Sequence, residues 1–398
     1  MARGRGGFIG QDGLNAPDSP TGVSATAGNA QATVSFTAPT DVGGSAITGF
    51  RAQSNPSGIG VSGSSSPITV TGLSNGTSYT FNVWAINAFG YSAPSDASGS
   101  VSPVAPQGRA IFVLGTGSAT NNYNYVDIVS SGNASVFGNL NQAAYYTGGF
   151  SSSTRSITFG GYASSAWQNW MEYVTIASTG NGTDFGDLTQ GTRYCSGVSS
   201  NTRGVRTGGQ ITGSNYSNVM DYVTIASTGN AQDFGDLTAY RGINGGAEST
   251  TRGIVFGGAQ AGSNYTDVID YITIANTGNA TDFGDLSENL GYGGAASSST
   301  RAVAMFTYGT SGNNNKMEYV TIASTGNSTD FGDLTFVSAA SWPCATSNKI
   351  KALIVSANNN NVIQQLTIAT TGNTTDYGDL TDSAYGGGAT SDSHGGLS

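Results

Sequence analysis

One phrase recurs six times along the chain. Four nearly identical copies occupy residues 173–188, 222–237, 271–286 and 319–334, and two divergent copies occupy residues 125–140 and 366–380. The leucines that close the copies, at positions 140, 188, 237, 286, 334 and 380, are separated by 48, 49, 49, 48 and 46 residues. A period near fifty residues indicates a repeat architecture.

Each period is expected to hold about four short strands. Residues 222–226 (YVTIA) are β-branched and aromatic with period-two alternation, which predicts a strand. The STGN that follows is typical of a turn because Gly and Asn tolerate positive φ, and DFGDL then predicts an outer strand. Upstream lies a strand that opens with Thr-Arg (TRGIVFGG from Thr251), preceded by a stretch of small residues (INGGAES from Ile243). No stretch has the helical spacing of apolar residues.

Four strands per period are typical of a β-propeller blade. The Gly-Gly that ends the second strand, and the aromatic residue in the fourth, resemble Kelch repeats, with Phe or Tyr in place of the usual Trp: Phe185, Phe234, Phe283, Phe331 and Tyr377. The resemblance covers roughly residues 107–398 and implies a six-bladed Kelch-like β-propeller over residues 109–398. The first repeat lacks an inner strand, so we expect residues 383–391 to supply it and remove the free sheet edges.

The N-terminal part has a different pattern. Residues 17–103 resemble a fibronectin type III domain, most specifically over residues 68–95, where Leu73, Gly76 and Tyr79 match the family's Leu–Gly–Tyr turn. The resemblance implies a β-sandwich in which the Tyr79 hydroxyl bonds nearby backbone. The expected fold is all-β: an N-terminal arm (residues 1–16), a fibronectin type III-like β-sandwich (17–103), a linker (104–108) and the propeller.

Charge and cysteine content narrow the possible environments and partners. A net charge of −10 disfavours nucleic acid and anionic membrane surfaces. The opening MARGRGGFIG has no apolar signal-peptide segment, and no apolar run approaches transmembrane length, so synthesis in a cytoplasm without membrane insertion is expected. Cys195 and Cys344 fall three repeats apart, on opposite sides of a six-bladed ring and too far apart for a disulfide. We therefore expect two free thiols.

The sequence offers no convergent catalytic set. His394 is the single histidine, which argues against a His-based triad or a multi-His zinc site. The aspartate pairs of DFGD recur around a ring, where turn capping or ion pairing is the favoured interpretation. We expect a non-enzymatic protein that needs neither a cofactor nor a metal.

Three groups of residues are candidates for contacts. The arm either orders on a partner as an anchor or is a disordered terminus; its anchor residues are Arg3, Arg5, Phe8 and Ile9. The loops between second and third strands are either polar loops that only maintain solubility, or they bind a glycan or receptor through Trp167, Trp170, Tyr216 and Tyr265. A cation at the start of each second strand is expected between blades, paired with a carboxylate: Arg109, Arg155, Arg203, Arg252, Arg301 and Lys349.

A fibronectin-type module joined to low-charge repeats of the form YVTIASTGN…DFGDL resembles structural proteins of tailed bacteriophages. The resemblance implies a virion protein, a tail fibre or capsid-attached fibre, anchored by its N-terminal part and displaying the propeller for host-surface binding. The alternative is a capsid decoration or tail structural protein without a ligand. Other virion proteins of the capsid, portal or tail are the expected partners. Binding to a host surface glycan or protein, and assembly into a homo-oligomer, are two further interactions that the sequence leaves open.

Overall fold

The computed structural model describes residues 15–28, 30–103, 108–113, 121–262, 264–336, 342–357, 360–384 and 386–397. The chain divides into two compact units, Met1–Gln107 and Gly108–Ser398. All regular secondary structure in the described residues is β-strand, which agrees with the all-β expectation. The anchor residues Arg3, Arg5, Phe8 and Ile9, and linker residues 104–107, lie outside the described residues.

The N-terminal unit is a sandwich of two antiparallel sheets, with strand orders β1-β2-β5 and β4-β3-β6-β7. The strands are β1 (Thr21–Gly28), β2 (Gln31–Thr37), β3 (Gly49–Asn55), β4 (Gly60–Gly63), β5 (Ile68–Thr71), β6 (Thr80–Asn87) and β7 (Gly90–Tyr91). Period-two alternation directs one face of each strand into the core: in β6, Phe81, Val83 and Ala85 are fully buried between half-buried neighbours.

A tyrosine corner closes this core. Tyr79 is 2% exposed, and its hydroxyl accepts a 3.1 Å hydrogen bond from the amide of Ser74. The prediction made from the turn LSNGTSY is therefore confirmed.

The C-terminal unit contains six repeats, each with four paired antiparallel strands. The first repeat has β8 (Arg109–Val113), β9 (Asn122–Asp127) and β10 (Ser135–Asn139); the second β11 (Gly148–Ser151), β12 (Arg155–Phe159), β15 (Trp170–Thr175) and β16 (Thr183–Asp187), with a small hairpin β13 (Tyr162–Ala163) and β14 (Ala166–Trp167). The third has β17 (Ser196–Ser199), β18 (Arg203–Thr207), β21 (Val219–Thr224) and β22 (Gln232–Asp236), with a hairpin β19 (Gln210–Thr212) and β20 (Asn215–Tyr216).

The remaining repeats continue the pattern. The fourth has β23 (Gly245–Glu248), β24 (Arg252–Gln260), β25 (Asn264–Thr273) and the start of β26 (Thr281–Ser297); the fifth has the end of β26, β27 (Arg301–Gly309), β29 (Lys316–Thr321) and β30 (Thr329–Asp333), with β28 (Gly312–Asn313) paired on β27. The sixth has β31 (Trp342–Ser347), β32 (Lys351–Ala357), β33 (Asn360–Thr367) and β34 (Thr375–Ala384). The inner strand of the first repeat, equivalent to the first strand of the other repeats, is β35 (Ala389–Ser391).

The pairing of β35 with the first repeat agrees with the expectation for residues 383–391. Ala389 pairs with Phe112, Thr390 with Ile111 and Ser391 with Ala110. Directly after the strand, Asp392 Oδ1 accepts hydrogen bonds from the Gly108 amide at 2.7 Å and the Arg109 amide at 3.0 Å. The strand β35 therefore completes a sheet whose other strands lie in residues 109–139.

Hydrophobic clusters lie between successive repeats. Phe256 of the fourth repeat packs in one cluster with Val320 of the fifth, and equivalent clusters join the first repeat to the second, the second to the third, the third to the fourth, and the fifth to the sixth. A further cluster joins the sixth repeat to the first and includes Val355 and Phe112. Among the described residues, each repeat therefore packs against the next one, and the sixth repeat packs against the first.

The recurrent Gly-Asn turn fastens each repeat to the one before it. Asn279 Oδ1 accepts a 3.0 Å hydrogen bond from the Asp236 amide, and the Gly278 amide donates to Phe234 at 2.7 Å. The equivalent asparagine contacts are Asn181 with Asn139, Asn230 with Asp187, Asn327 with Asp285, Asn373 with Asp333, and Asn133 with Asp379. A Cβ on Gly235 would lie 2.5 Å from the Gly278 oxygen, so DFGD needs its glycine where the neighbouring turn approaches.

A second contact between repeats uses a buried acid or amide in each third strand. Asp270 accepts the amide of Thr238 at 3.1 Å and its hydroxyl at 2.7 Å. The equivalent pairs are Asn141 with Glu172, Thr189 with Asp221, Ser287 with Glu318, Thr335 with Gln364, and Thr381 with Asn124. Each donor directly follows a closing leucine, so the phrase and the next repeat are hydrogen-bonded to each other.

The cations of the second strands make a different contact from the predicted one. Arg252 Nη1 donates to the carbonyl of Ile322 in the fifth repeat at 2.8 Å, and its guanidinium carbon lies 4.4 Å from the centroid of Tyr271. The same pair of contacts is made by Arg109, Arg155, Arg203 and Arg301. The predicted pairing with carboxylates is wrong, because the next repeat presents backbone carbonyls at the end of its third strand.

The sixth cation was placed two residues too early. Lys351, and not Lys349, opens β32 and pairs with Thr367, as Arg301 pairs with Thr321. Its ammonium lies 5.5 Å from the centroid of Tyr377. Asn348 takes the place of the serine that lies three residues before Arg155, Arg203, Arg252 and Arg301, since its Oδ1 accepts the Lys351 amide at 2.7 Å. This substitution hides the Thr-Arg register of the sixth repeat in the sequence.

The two cysteines are free and buried, as predicted. Burial raises the pKa of Cys195 to about 11 and of Cys344 to about 12, against an ordinary 9.0. In the folded chain we expect neither thiol to react appreciably with iodoacetamide at pH 8, and both to react in guanidinium chloride, as measured by mass spectrometry.

The same shifts predict an alkaline loss of stability. Above pH 9 the thiols of the unfolded chain ionise while those of the folded chain stay protonated, which favours the unfolded state. The free energy of unfolding therefore has its full value, as far as the thiols are concerned, below pH 9 and falls as pH rises towards 12. The melting temperature of a Cys195→Ala, Cys344→Ala variant should fall less over that window than that of the native chain. Equal falls would show that thiol ionisation does not contribute.

Candidate functional site

The structure separates the four predicted contact residues. Trp167 and Tyr216 are half-buried residues of the hairpins that join second and third strands, and Tyr265 is a half-buried residue near the start of the third strand β25. Trp170 is 8% exposed and packs in the cluster between the first and second repeats. The prediction for Trp170 is wrong, because it starts β15 on the face that points into the core.

Four other aromatic residues form the centre of the site, here called the inner aromatic cluster: Tyr146, Tyr194, Tyr292 and Trp342. Ring centroids lie 4.3 Å apart for Tyr146 and Tyr194, 4.7 Å for Tyr146 and Trp342, and 5.4 Å for Tyr292 and Trp342. Tyr194 stacks on Trp342 at 5.7 Å with an interplanar angle of 20°. Four different repeats thus contribute to one aromatic surface.

The backbone explains why these rings meet. Each cluster residue stands at the entry to the first strand of its repeat, where the Tyr194 amide donates to Tyr146 at 3.1 Å and the Ile243 amide to Tyr194 at 2.7 Å. Tyr146, Tyr194 and Tyr292 have φ of 62°, 56° and 54°, a conformation uncommon for residues other than glycine and typical of functional sites. The sequence signal for them is an aromatic residue directly before a small-residue stretch, as in YYTGG, RYCSG and GYGGA.

Arg193 connects the cluster to a further group of rings. Its guanidinium carbon lies 4.6 Å from the Tyr194 centroid, 4.8 Å from Tyr162 and 5.3 Å from Trp167. Its Nε donates to Gln210 Oε1 at 2.7 Å. Cation–π contacts of this kind contribute about 0.5–2 kcal/mol each, so Arg193 holds Trp167 beside the cluster.

Tyr292 also lines a second feature, here called the tyrosine cavity, which is formed by residues of the fourth and fifth repeats. This cavity has a volume of about 470 Å³ and is lined by Asn264, Tyr265, Asn289, Tyr292, Tyr308, Gly309 and Thr310. Tyr265 lies 5.6 Å from Tyr308 and 6.1 Å from Tyr292 between ring centroids. The predicted contact residue Tyr265 therefore lines a real concavity.

A narrow channel of about 100 Å³ runs between the first strands of the repeats. Asn244 lines it and is 4% exposed, yet neither its amide nitrogen nor its amide oxygen has a hydrogen-bond partner among the described residues. The indole Nε1 of Trp342 is likewise buried without a partner among them. Buried polar atoms are nearly always hydrogen-bonded, so these atoms indicate a place where a polar group can be accommodated.

Serine hydroxyls and His394 also line the channel. Ser199 Oγ donates to the Ser151 carbonyl at 2.8 Å, and Ser347 Oγ to Ser297 at 2.8 Å, with similar contacts from Ser297, Ser391 and Ser151. Glu248 stands at the sixth equivalent position, and its Oε1 lies 2.5 Å from His394 Nδ1. His394 is 6% exposed, so it is engaged within the fold.

Burial sets the ionisation of the aromatic site. It raises the pKa of Tyr194, Tyr216, Tyr265 and Tyr292 above the usual value for a phenol. Their hydroxyls therefore remain protonated at physiological pH and can each donate one hydrogen bond. The surface offers flat apolar rings with neutral polar edges.

Within the described part of the chain, no three His, Cys, Asp or Glu side chains gather in a way that could hold a metal ion. Among the same residues, no helix is long and apolar enough to cross a membrane.

Comparison with known proteins assigns the N-terminal unit. Residues 18–100 match the family model described as Fibronectin type III domain. This part of the chain is a fibronectin type III domain. A crystal structure of domains A168–A170 from titin is similar at 30% identity, covering 22% of this chain and 32% of that one, with a TM-score of 0.22. The chain thus spans about a third of the length of that titin chain. No curated protein matches the chain.

The fibronectin type III domain contains Phe36 where the family usually has Trp. Phe36 is 8% exposed and packs on Phe50 with 4.8 Å between ring centroids. A phenyl ring therefore fills the position of the larger indole. Membership of this family specifies a fold and leaves the ligand open.

Proposed function

We propose that residues 108–398 form a six-bladed, Kelch-like β-propeller and that the protein is a non-enzymatic attachment protein of a virion. Three sets of contacts support the propeller: the hydrophobic clusters between repeats, the Gly-Asn turns and the third-strand acids. Each set links the sixth repeat back to the first, for example through Asn133 with Asp379 and Asn124 with Thr381. The pairing of β35 with β8 adds a fourth link.

The observation that carries the binding role is the inner aromatic cluster. Half-buried aromatic side chains from four repeats meet beside the tyrosine cavity and the unpaired amide of Asn244. Large aromatic patches with polar edges are typical of recognition surfaces. The polar groups around the rings are amides, hydroxyls and Arg193, which suit the holding of a ligand better than the transfer of a proton.

The virion assignment rests on the resemblance of the repeat phrase to tailed-bacteriophage structural proteins. In this proposal the arm and the fibronectin type III domain attach the chain to the capsid, portal or tail, and the propeller contacts a host surface glycan or protein. A decoration or tail protein without a ligand is the competing function.

An antibody raised against the full chain and selected for binding residues 108–398 tests the proposal on intact particles. Immunogold labelling should decorate the outside of the particle, and Fab fragments should reduce adsorption to host cells. A Fab against the fibronectin type III domain serves as the control. Labelling without any block of adsorption favours the decoration role, and the absence of the chain from particles rejects the virion assignment.

A further inference from the structure

We infer that the tyrosine cavity binds a neutral carbohydrate, with one pyranose ring packed on its tyrosines. The inference rests on the proposed function, because it names the ligand class and the subsite of the same binding surface. Nothing in it requires a covalent step.

The size and shape of the cavity suit one or two sugar rings. Its volume of about 470 Å³ lies within the range of small-molecule sites, about 300–1,000 Å³. The three tyrosine rings are tilted by 50–57° to one another at centroid distances of 5.3–6.1 Å. Tilted rings form a concave wall, whereas parallel stacked rings would cover each other's faces.

The wall is preorganised by the backbone. A Cβ on Gly291 would lie 2.3 Å from Tyr265 Cδ1, so this ring rests directly on the chain beside Tyr292. Gly291 pairs with Tyr308 across the β26–β27 ladder, and Ala259 pairs with Tyr265 across the β24–β25 ladder. All three tyrosines are therefore carried by sheet, which lowers the ordering cost of binding.

The polar lining identifies the ligand class. The cavity residues include no charged side chain, and their hydrogen-bonding groups are the amides of Asn264 and Asn289, the Thr310 hydroxyl and the tyrosine phenols. A pyranose presents an apolar face to aromatic rings and hydroxyls at its edge, so it matches both parts of the lining. An anionic sugar would bring a charge without a counter-ion there, which is costly in a desolvated site.

Residues adjacent in the chain line the cavity and the channel. Tyr292 lines the cavity and the next residue, Gly293, lines the channel. The Gly293 amide donates to Ile243 at 3.1 Å, directly before the unpaired Asn244. A second sugar unit extending from the cavity would thus meet Trp342 and the other rings of the inner aromatic cluster.

Saturation-transfer difference NMR on the full chain tests the inference. The probes are the methyl glycosides of glucose, galactose, mannose and N-acetylglucosamine, titrated to millimolar concentration. Tyr308→Ala and Tyr265→Ala should each raise the dissociation constant at least about tenfold for whichever glycoside binds, since aromatic contacts of this kind are worth about that factor. Tyr240→Ala is the matched control, because Tyr240 is 65% exposed and outside the cavity, and should leave binding unchanged.

Tyr308→Phe covers the case in which an alanine variant fails to fold. It keeps the ring and loses the hydroxyl, so binding should weaken by less than tenfold. The inference is overturned if no glycoside binds the native chain, if binding survives both alanine substitutions in folded protein, or if tetramethylammonium binds at the cavity in place of the sugars. None of these outcomes would affect Fab inhibition of adsorption, so failure here is separable from failure of the proposed function.

Discussion

Replacing Arg241 with methionine is expected to lower the free energy of unfolding by about 3–5 kcal/mol, because it leaves a buried carboxylate without its counter-ion. Arg241 Nη2 lies 2.7 Å from Asp270 Oδ2, and both side chains are fully buried. Arg241 Nη1 also donates to the Val268 carbonyl at 2.8 Å. Burial lowers the pKa of Arg241 and the Asp270 carboxylate opposes that change, so the pair depends on its mutual contact. Guanidinium chloride unfolding of the C-terminal unit within the full chain measures the change.

An exposed ion pair in the same unit provides the matched control. Lys316 and Glu288 form an ion pair, and their side chains are 41% and 32% exposed. Because surface ion pairs contribute little to stability, Lys316→Met should lower the free energy of unfolding by no more than about 1 kcal/mol. The double variant Arg241→Met, Asp270→Asn should recover part of the lost stability, because it removes the uncompensated charge and keeps an amide oxygen to accept the hydrogen bonds of Thr238. If Arg241→Met costs as little as Lys316→Met, the pair is not the determinant proposed.

Removing residues 386–398 is expected to abolish the cooperative unfolding transition of the C-terminal unit. The deletion exposes the edge of β8, removes Asp392 from the amides of Gly108 and Arg109, and takes His394 away from Glu248. It also uncovers the apolar cluster that joins the sixth repeat to the first, against which Ala389 packs. An exposed apolar sheet edge favours association between chains. Size-exclusion chromatography should show aggregates, and dye binding should report exposed apolar surface.

Complementation distinguishes a lost strand from general damage. A synthetic peptide of residues 386–398, added to the truncated chain during refolding, should restore a monomeric species and its unfolding transition. The same peptide with Thr390 changed to proline should fail, because the alternation of the antiparallel ladder directs the Thr390 amide at β8 and proline cannot donate there. A truncated chain that unfolds at the native denaturant concentration would contradict the role assigned to β35.

The sequence predicted the strands and repeats correctly but not which residues the side chains contact. The chain pattern predicted the repeat number, the strand content, the C-terminal strand and the Tyr79 corner, because each depends on local alternation or turn chemistry. It predicted the wrong partner for the arginines, since a guanidinium bonds a carbonyl as well as a carboxylate and only the packed neighbour decides which is within reach. It also placed Trp170 on the surface, because loop composition does not reveal the direction of one side chain.

The candidate site was found only in part. Tyr265 was identified from loop composition, whereas Tyr146, Tyr194, Tyr292 and Trp342 were missed. These four residues lie between about 50 and 200 positions apart in the chain. Their meeting depends on the first strands of different repeats lying side by side, which no window of sequence contains.

The sequence alone determined that this chain is built from strands, that one unit repeats with a period near fifty, and that the N-terminal part has the fibronectin pattern. Those features follow from residue order over short distances, where side-chain alternation and turn-forming residues act directly on the backbone. The tertiary structure decided which side chains meet, including Arg241 with Asp270, Glu248 with His394 and the rings of the inner aromatic cluster. These contacts depend on how repeats pack, because distance in space between residues of different repeats is set by the whole fold.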